Sequence, residues 1–233
     1  MTWEEEIAAE YSLSASQISK LHTLLEYLAG ISDRNLTSVT GEANIVNFHF
    51  RDSLALLAFN EFAEADRIVD VGSGAGFPGL PLAIACPEKS FTLLEARSRK
   101  CGFIDDAVDL LELHNVRSLQ SRAEEAAGGV YRDYFDLAVA RAVGSLPVVL
   151  EYVLPLLKTG GSALLQRGNR EDGDESSAAT VARLLGGRLE KIEPSYPYPG
   201  SKNLHVWVFS KTMATPKRFP RRSGIAKKRP LSP

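Results

Sequence analysis

Apolar residues return at helical spacing from Ser14 to Leu28, where Ile18, Leu21, Leu25 and Leu28 fall on one face. Ser14 followed by Gln17 has the spacing of a capping box, so an amphipathic helix is predicted to begin there. The polar stretch Asp33 to Asn44 breaks the pattern, and a second helical segment is expected around Val46 to Phe59, with Phe50, Leu54 and Leu57 on one side. From Arg67 onward the period changes. Short β-rich runs at Arg67 to Val71, Phe91 to Glu95, Val116 to Gln120, Phe135 to Ala140 and Ser162 to Gln166 alternate with helical runs at Gly79 to Ala85, Ser98 to Leu113 and Pro147 to Leu157. Such alternation specifies a mainly parallel sheet with helices on both faces. After a loop from Arg167 to Asp174, a helix to about Leu185 precedes two final strands, Arg188 to Glu193 and Leu204 to Ser210. Their connection, Pro194 to Gly200, is too short for a crossover helix, so they are expected to pair antiparallel. The predicted fold is α/β: a doubly wound, mainly parallel seven-stranded sheet at residues 63–211, preceded by an N-terminal helical cap at 1–62 and followed by a basic C-terminal tail at 212–233.

At 233 residues the chain suits one α/β domain with appendages, and 44% hydrophobic with 24% charged residues is ordinary for a globular protein. No internal repeat is visible. The opening residues carry the acidic run Glu4 to Glu6 instead of a signal-peptide pattern, and no apolar stretch reaches membrane-spanning length, so a cytoplasmic protein is expected. Cys86 and Cys101 lack the spacing of a zinc site or a disulfide framework; buried reduced thiols and no metal are expected. A net charge of −2 argues against nucleic acid, but the average hides an asymmetry. From Lys211 to Arg229 there are eight basic residues and no acid, which makes Arg221, Arg222, Lys227, Lys228 and Arg229 candidates for RNA contact, against the plain alternative of a solvated tail.

The most informative stretch is Ile68-Val69-Asp70-Val71-Gly72-Ser73-Gly74-Ala75-Gly76-Phe77-Pro78-Gly79, a buried strand ending in an acid, then alternating glycines, then a helix start. In open α/β sheets ligands bind beyond the carboxyl ends of strands, and glycines there let the backbone approach them closely. Gly74, Gly76 and Gly79 also satisfy the dinucleotide pattern, so a nicotinamide-dependent oxidoreductase must be weighed. Two details favour S-adenosylmethionine: the first glycine of that match lies four residues beyond Asp70, and Pro78 stands where a helix would offer its N–H to a pyrophosphate. Asp70 is expected to attract the cofactor's cationic groups, and Glu95, ending the second strand, to accept from the ribose hydroxyls. Ser121-Arg122-Ala123-Glu124 follows the third strand, where the Ala123 backbone and the Glu124 carboxylate could read the adenine edge; a first-turn helix charge is an equal reading of Glu124. The fourth strand ends Val139-Ala140-Arg141-Ala142, without the Asn or Asp and Pro-Pro-aromatic sequence common in amine methyltransferases. Attack by a ring nitrogen with its own lone pair needs no general base, so catalysis is expected to rest on positioning, with Arg141 as a candidate and a structural salt bridge as its alternative.

These residues resemble the RsmG (GidB) methyltransferases, which methylate N7 of a guanine in the 530 loop of 16S ribosomal RNA. The likeness runs through Asn35-Leu36-Thr37, His49-Phe50, Asp52-Ser53-Leu54, Asp70 to Gly79, Arg122-Ala123-Glu124, Ala140-Arg141-Ala142 and the tail around Gly224 and Lys228 to Leu231. It implies that Gly72, Phe77, Ala123, Glu124 and Arg141 contact the cofactor, with Glu95, Ala96 and Arg97 near the ribose. Further, it implies an enzyme acting on 16S ribosomal RNA or the small ribosomal subunit; separately, a monomer is expected. The chain departs from the family pattern at Arg34, where an aromatic is usual, at Gln166-Arg167-Gly168 in place of Lys-Gly, and at Ser223 and Ala226 in place of prolines. Asn35, His49, Arg51 and Arg167 are the candidates for an RNA-facing rim. A non-catalytic ribosome-assembly factor with the same fold is the other alternative.

Overall fold

The computed structural model describes residues 1–30, 36, 39–169 and 173–232. Helix α1 (Trp3–Tyr11) opens with a complete capping box, Thr2 accepting from the Glu5 backbone and Glu5 accepting from the Thr2 N–H, and its acidic first turn complements the helix dipole. Periodicity alone does not announce this helix, because Ile7 is its one buried residue. Ser14 and Gln17 make the expected reciprocal cap on α2 (Ala15–Gly30), which buries Leu21, Leu24, Leu25 and Leu28.

The segment expected as one helix from Val46 to Phe59 is a chain of short pieces: α3 (Glu42–Ile45), a wide π turn (Val46–Arg51), α4 (Asp52–Leu54), a tight 3-10 turn (Ala55–Ala58) and α5 (Asn60–Ala63). Ser53 Oγ bonds back to the His49 carbonyl at 2.5 Å, one local competitor of a regular ladder.

The strands are β1 (Arg67–Val71), β2 (Ser90–Glu95), β3 (Val116–Gln120), β4 (Phe135–Arg141), β5 (Leu157–Arg167), β6 (Gly187–Ser195) and β7 (Leu204–Lys211), in the order β3-β2-β1-β4-β5-β7-β6. The first five run parallel, and β7 lies antiparallel to both β5 and β6. Between them come α6 (Gly79–Ala85), α7 (Ser98–Leu110), α8 (Ala123–Gly128), α9 (Leu146–Val153) and α10 (Asp174–Leu184). The two largest differences from the expected boundaries concern α9 and β5. α9 ends before Pro155, whose ring and missing N–H oppose further helix, and β5 starts at Leu157 instead of Ser162. α8, six residues of Ala, Glu and Gly, is too short to carry a periodic signal.

Alternate strand residues feed two cores. Ile68, Leu137 and Leu164 meet α6 and α7 together with Ile7, Leu21, Phe50 and Leu54, whereas Val69, Ala138 and Leu165 meet α9 and α10. The N-terminal helices therefore share the core of the sheet's first face. Gln17 Nε2 adds bonds to the Ile84 and Ala85 carbonyls at the end of α6, at 3.1 and 2.8 Å. Arg51, expected on an RNA-facing rim, is buried and pairs with Glu6 and Glu10 of α1 at 2.5 Å each, clamping α1 to the irregular segment.

The expected basic tail is a docked strap. Lys211 is buried, its ammonium bonded to the Leu154 carbonyl and Thr215 Oγ1, and burial lowers its pKa to about 8. Phe219 joins the second core, Arg132 holds the Thr215 and Phe219 carbonyls, and a short α11 (Ile225–Lys228) buries Ala226. Arg221, a candidate RNA contact, instead binds Glu151 of α9, which is fully buried, through its backbone N–H and its guanidinium.

Candidate active site

The carboxyl ends of β1 to β3 enclose a cleft of about 260 Å³. After β1 the chain turns so tightly that the Gly72 and Ser73 N–H groups both donate to the Leu94 carbonyl of β2. Gly72 has φ +73°, and a Cβ there would stand 2.9 Å from Val143 across the cleft. At Gly76, with φ +86°, a Cβ would reach 2.3 Å from Leu80, so this turn closes only on glycine. Glu95, at the end of β2, is nearly buried; its two oxygens accept from the Gly74 N–H at 3.1 Å and the Arg97 N–H at 2.9 Å. Gly72, Glu95, Ala96, Arg97, Ala123 and Glu124 all line this cleft. Gly74 stands at its edge, near the Lys100 ammonium.

Asp70, Gly76, Phe77 and Arg141 do not line it. Asp70 is fully buried, and its Oδ2 accepts from the Gly79 N–H at 2.9 Å while Oδ1 has no hydrogen-bond partner among the described residues. Burial pushes its pKa up to about 7, against the pull of that N–H bond and of Arg141. Asp70 thus pins the start of α6 to β1 from inside instead of facing a ligand, because the turn folds over it. The helix start that would hold a pyrophosphate is already taken by this carboxyl group, which removes the main physical support of the dinucleotide alternative. Phe77 turns outward from the cleft and stacks on His49 at 4.2 Å.

A second cavity, of about 140 Å³, lies over the ends of β4, β5 and β7. The β4 exit separates the two: Ala142, held at φ +55°, lines the second cavity and Val143 lines the first. Arg141 lines the second. Its guanidinium is held by Asp52 Oδ2 and the Phe48 carbonyl, both at 2.7 Å, and lies 3.1 Å from His49 Nδ1. Burial and the neighbouring Arg141 lower the His49 pKa to about 4, so the ring is neutral near pH 7. His49 is therefore a packing and positioning group, not an exposed RNA contact. The wide π turn brings the Phe48 carbonyl, the His49 ring and Asp52 onto Arg141 together. In the same wall Gln166 donates to the Asp52 carbonyl at 2.6 Å, and Gln166 Oε1 and the His205 Nδ1 ring nitrogen are buried without hydrogen-bond partners among the described residues.

Of the other RNA candidates, Arg167 lines the second cavity and bonds the Gly144 carbonyl, while Arg222, Lys227, Lys228 and Arg229 are exposed on the strap. Asn35 lies outside the described residues. Sequence reasoning missed Lys100 and Tyr152, which line the first cleft from α7 and α9, and Asp52, the partner of Arg141. A single lysine, tyrosine or aspartate on a helix carries no spacing signal. Asp52 alone was within reach, since it stands three residues beyond His49 in the stretch that carried the resemblance.

A family model described as rRNA small subunit methyltransferase G matches residues 17–194. The chain is 39% identical over 222 residues to ribosomal RNA small subunit methyltransferase G of Chloroflexus aggregans, covering 94% of this chain and 92% of that one. It is 34% identical over 228 residues to the protein of the same name from Leuconostoc citreum, covering 96% and 95%. Among solved structures it is similar in fold to M. jannaschii TYW2 in complex with AdoMet, with a TM-score of 0.54, 19% identity and coverage of 70% and 74%. A second such fold is the methyltransferase SibL in its apo form, at a TM-score of 0.57, 15% identity and coverage of 91% and 73%. With a glycine cleft, a seven-stranded sheet and relatives matched almost end to end, the chain belongs to the rRNA small subunit methyltransferase G family and is a ribosomal RNA methyltransferase.

Proposed function

We propose that this protein transfers a methyl group from S-adenosylmethionine to N7 of a guanine in the 530 loop of 16S ribosomal RNA. The cofactor supplies an electrophilic methyl group on a cationic sulfur; the chain's own residues bind and orient. Glu95, an acceptor at the end of β2, suits two ribose hydroxyls, the close backbone at Gly72 suits a ligand lying flat on the turn, and Ala123 and Glu124 face its adenine end. The carboxylates of the lining, Glu95 and Glu124, accept hydrogen bonds and attract positive charge, which fits a nucleoside carrying a sulfonium. The target base enters the second cavity, across the β4 exit.

The observation that carries the N7 reading is the chemistry of that exit. Among the residues lining the second cavity, Asp52 is the one carboxylate, and it is held at 2.7 Å by Arg141. Its Oδ2 is occupied by the guanidinium, so the cavity offers no free carboxylate oxygen at that position to take a proton from a substrate amine, and the sulfonium's positive charge passes to the methylated ring without any proton transfer. An exocyclic amine loses a proton when methylated; N7 of guanine attacks with a free lone pair and loses none. The unsatisfied Gln166 Oε1 suits a base that brings N–H donors on its N1 and N2 edge, and the His205 ring nitrogen beside it accepts or donates according to its tautomer. Arg167 at the cavity mouth and the exposed Arg222, Lys227, Lys228 and Arg229 are the proposed phosphate contacts.

The test is incubation with labelled S-adenosylmethionine and small-subunit RNA, free and at several stages of assembly, with the product mapped by mass spectrometry. A 7-methylguanine in the 530 loop is expected. RNA unlabelled at every stage, or label on another atom, overturns the reading.

A further inference from the structure

Helices α8 and α9 stand between the first cleft and the C-terminal strap, and the same residues serve both sides. Glu124, the second residue of α8, lines the cleft, yet its Oε1 accepts a 2.8 Å bond from the Gly224 N–H. Its other oxygen makes no hydrogen bond among the described residues. Next to it, Glu125 accepts from Ser223 Oγ at 2.9 Å. On α9, Glu151 holds Arg221 while its neighbour Tyr152 lines the cleft. The strap thus grips the back of the wall whose front meets the ligand. Gly224 has φ +83°, a conformation that aims its N–H at Glu124 and that other residues adopt only under strain.

We propose that the strap is a positioning element of the cofactor site, with Gly224 orienting Glu124 so that the free carboxylate oxygen accepts from the adenine amine. This rests on the reading of the first cleft as the S-adenosylmethionine site. A carboxylate anchored at one oxygen has its remaining lone pairs aimed in a fixed direction, so the adenine amine meets an acceptor that needs no reordering. The strap's loss therefore registers in cofactor binding and not in RNA contact alone.

The experiment uses the full-length chain with Gly224→Pro, which removes the N–H and cannot adopt φ +83°, beside Gly224→Ala, which keeps the N–H. Calorimetry measures the Kd of S-adenosylhomocysteine and of S-inosylhomocysteine, in which the adenine amine is replaced by a carbonyl. Wild type is expected to prefer the adenosyl compound. Gly224→Pro should weaken that compound about tenfold while leaving the inosyl compound nearly unchanged, and Gly224→Ala should recover most of the preference. A merely structural strap would weaken both compounds alike or neither; a preference unchanged in Gly224→Pro overturns the proposal. Wild-type protein that binds neither compound would instead refute the reading of the cleft itself.

Discussion

Two buried titrating side chains have opposite consequences for stability. Asp70 has a folded pKa above the usual carboxylate range, so folding takes up a proton; its contribution is fully present below about pH 4 and lost as pH rises through 7. His49 has a folded pKa below its ordinary value, so its contribution is present above about pH 6.5 and lost as pH falls through 4. Between these limits the two nearly offset each other. Asp70→Asn, which keeps an acceptor for the Gly79 N–H, removes one side of that balance: relative to wild type it should gain roughly 2–4 kcal/mol between pH 4 and pH 7 in denaturant unfolding. A constant difference across that range would mean that Asp70 is ionised throughout. Glu95 differs in kind, because it lies at the cleft. Glu95→Ala leaves the Gly74 and Arg97 N–H groups without their acceptor and should raise the Kd for S-adenosylhomocysteine ten- to a hundredfold, measured by calorimetry on folded protein. The acid at each strand end was visible in the sequence, but which one is folded under the glycine turn was not. That depends on the turn closing over β1 and on α6 starting at Gly79, a matter of three-dimensional path.

At the next level, α1 and the irregular helical stretch from residue 42 to 63 act as one support for Arg141. Arg51 fastens that stretch to α1 through Glu6 and Glu10, and its π turn presents Phe48 and His49, with Asp52 at the start of α4, to β4. Arg51→Ala should lower stability by about 1–2 kcal/mol, since both partner carboxylates are half exposed and remain hydrated without it. Its RNA affinity and the slope of that affinity against salt should equal wild type's; a slope smaller by about one would restore Arg51 as a phosphate contact. The strands from Arg67 to Ser210 and the longer helices between them were legible because they alternate with distinct periods, and the antiparallel pairing of β6 with β7 followed from the length of their connection. α1, α8 and the broken helix were not, since short or irregular pieces bury too few residues to leave a periodic trace.

For the molecule as a whole, the chain's ends close over the sheet instead of flanking it. Glu151 is fully buried and balanced by Arg221 alone among the ion pairs of the described residues, so Arg221→Ala leaves a carboxylate unpaired inside the protein. A loss of about 3 kcal/mol is expected, which for a chain of this size is a fall in Tm of roughly 6–12 °C. Arg222→Ala, one residue along on the exposed face, should stay within about 0.5 kcal/mol. Equal effects of the two would mean that the strap is not docked in solution. The basic run therefore contains two populations that composition cannot separate: Lys211 and Arg221 neutralise or satisfy buried groups, and Arg222, Lys227, Lys228 and Arg229 face water.

Patterns within about a dozen residues were enough for the alternation of strands and helices, the glycine turn and the carboxylate at the end of β2, because each follows from backbone geometry and side-chain period in one segment. Pairing across the fold was beyond them. Arg141 with Asp52, Glu151 with Arg221 and Glu124 with Gly224 join residues 70 to 100 positions apart. Which charges are buried together, and which are left to a ligand or to water, is settled by packing, where the energy of a charge depends on neighbours that arrive from distant parts of the chain.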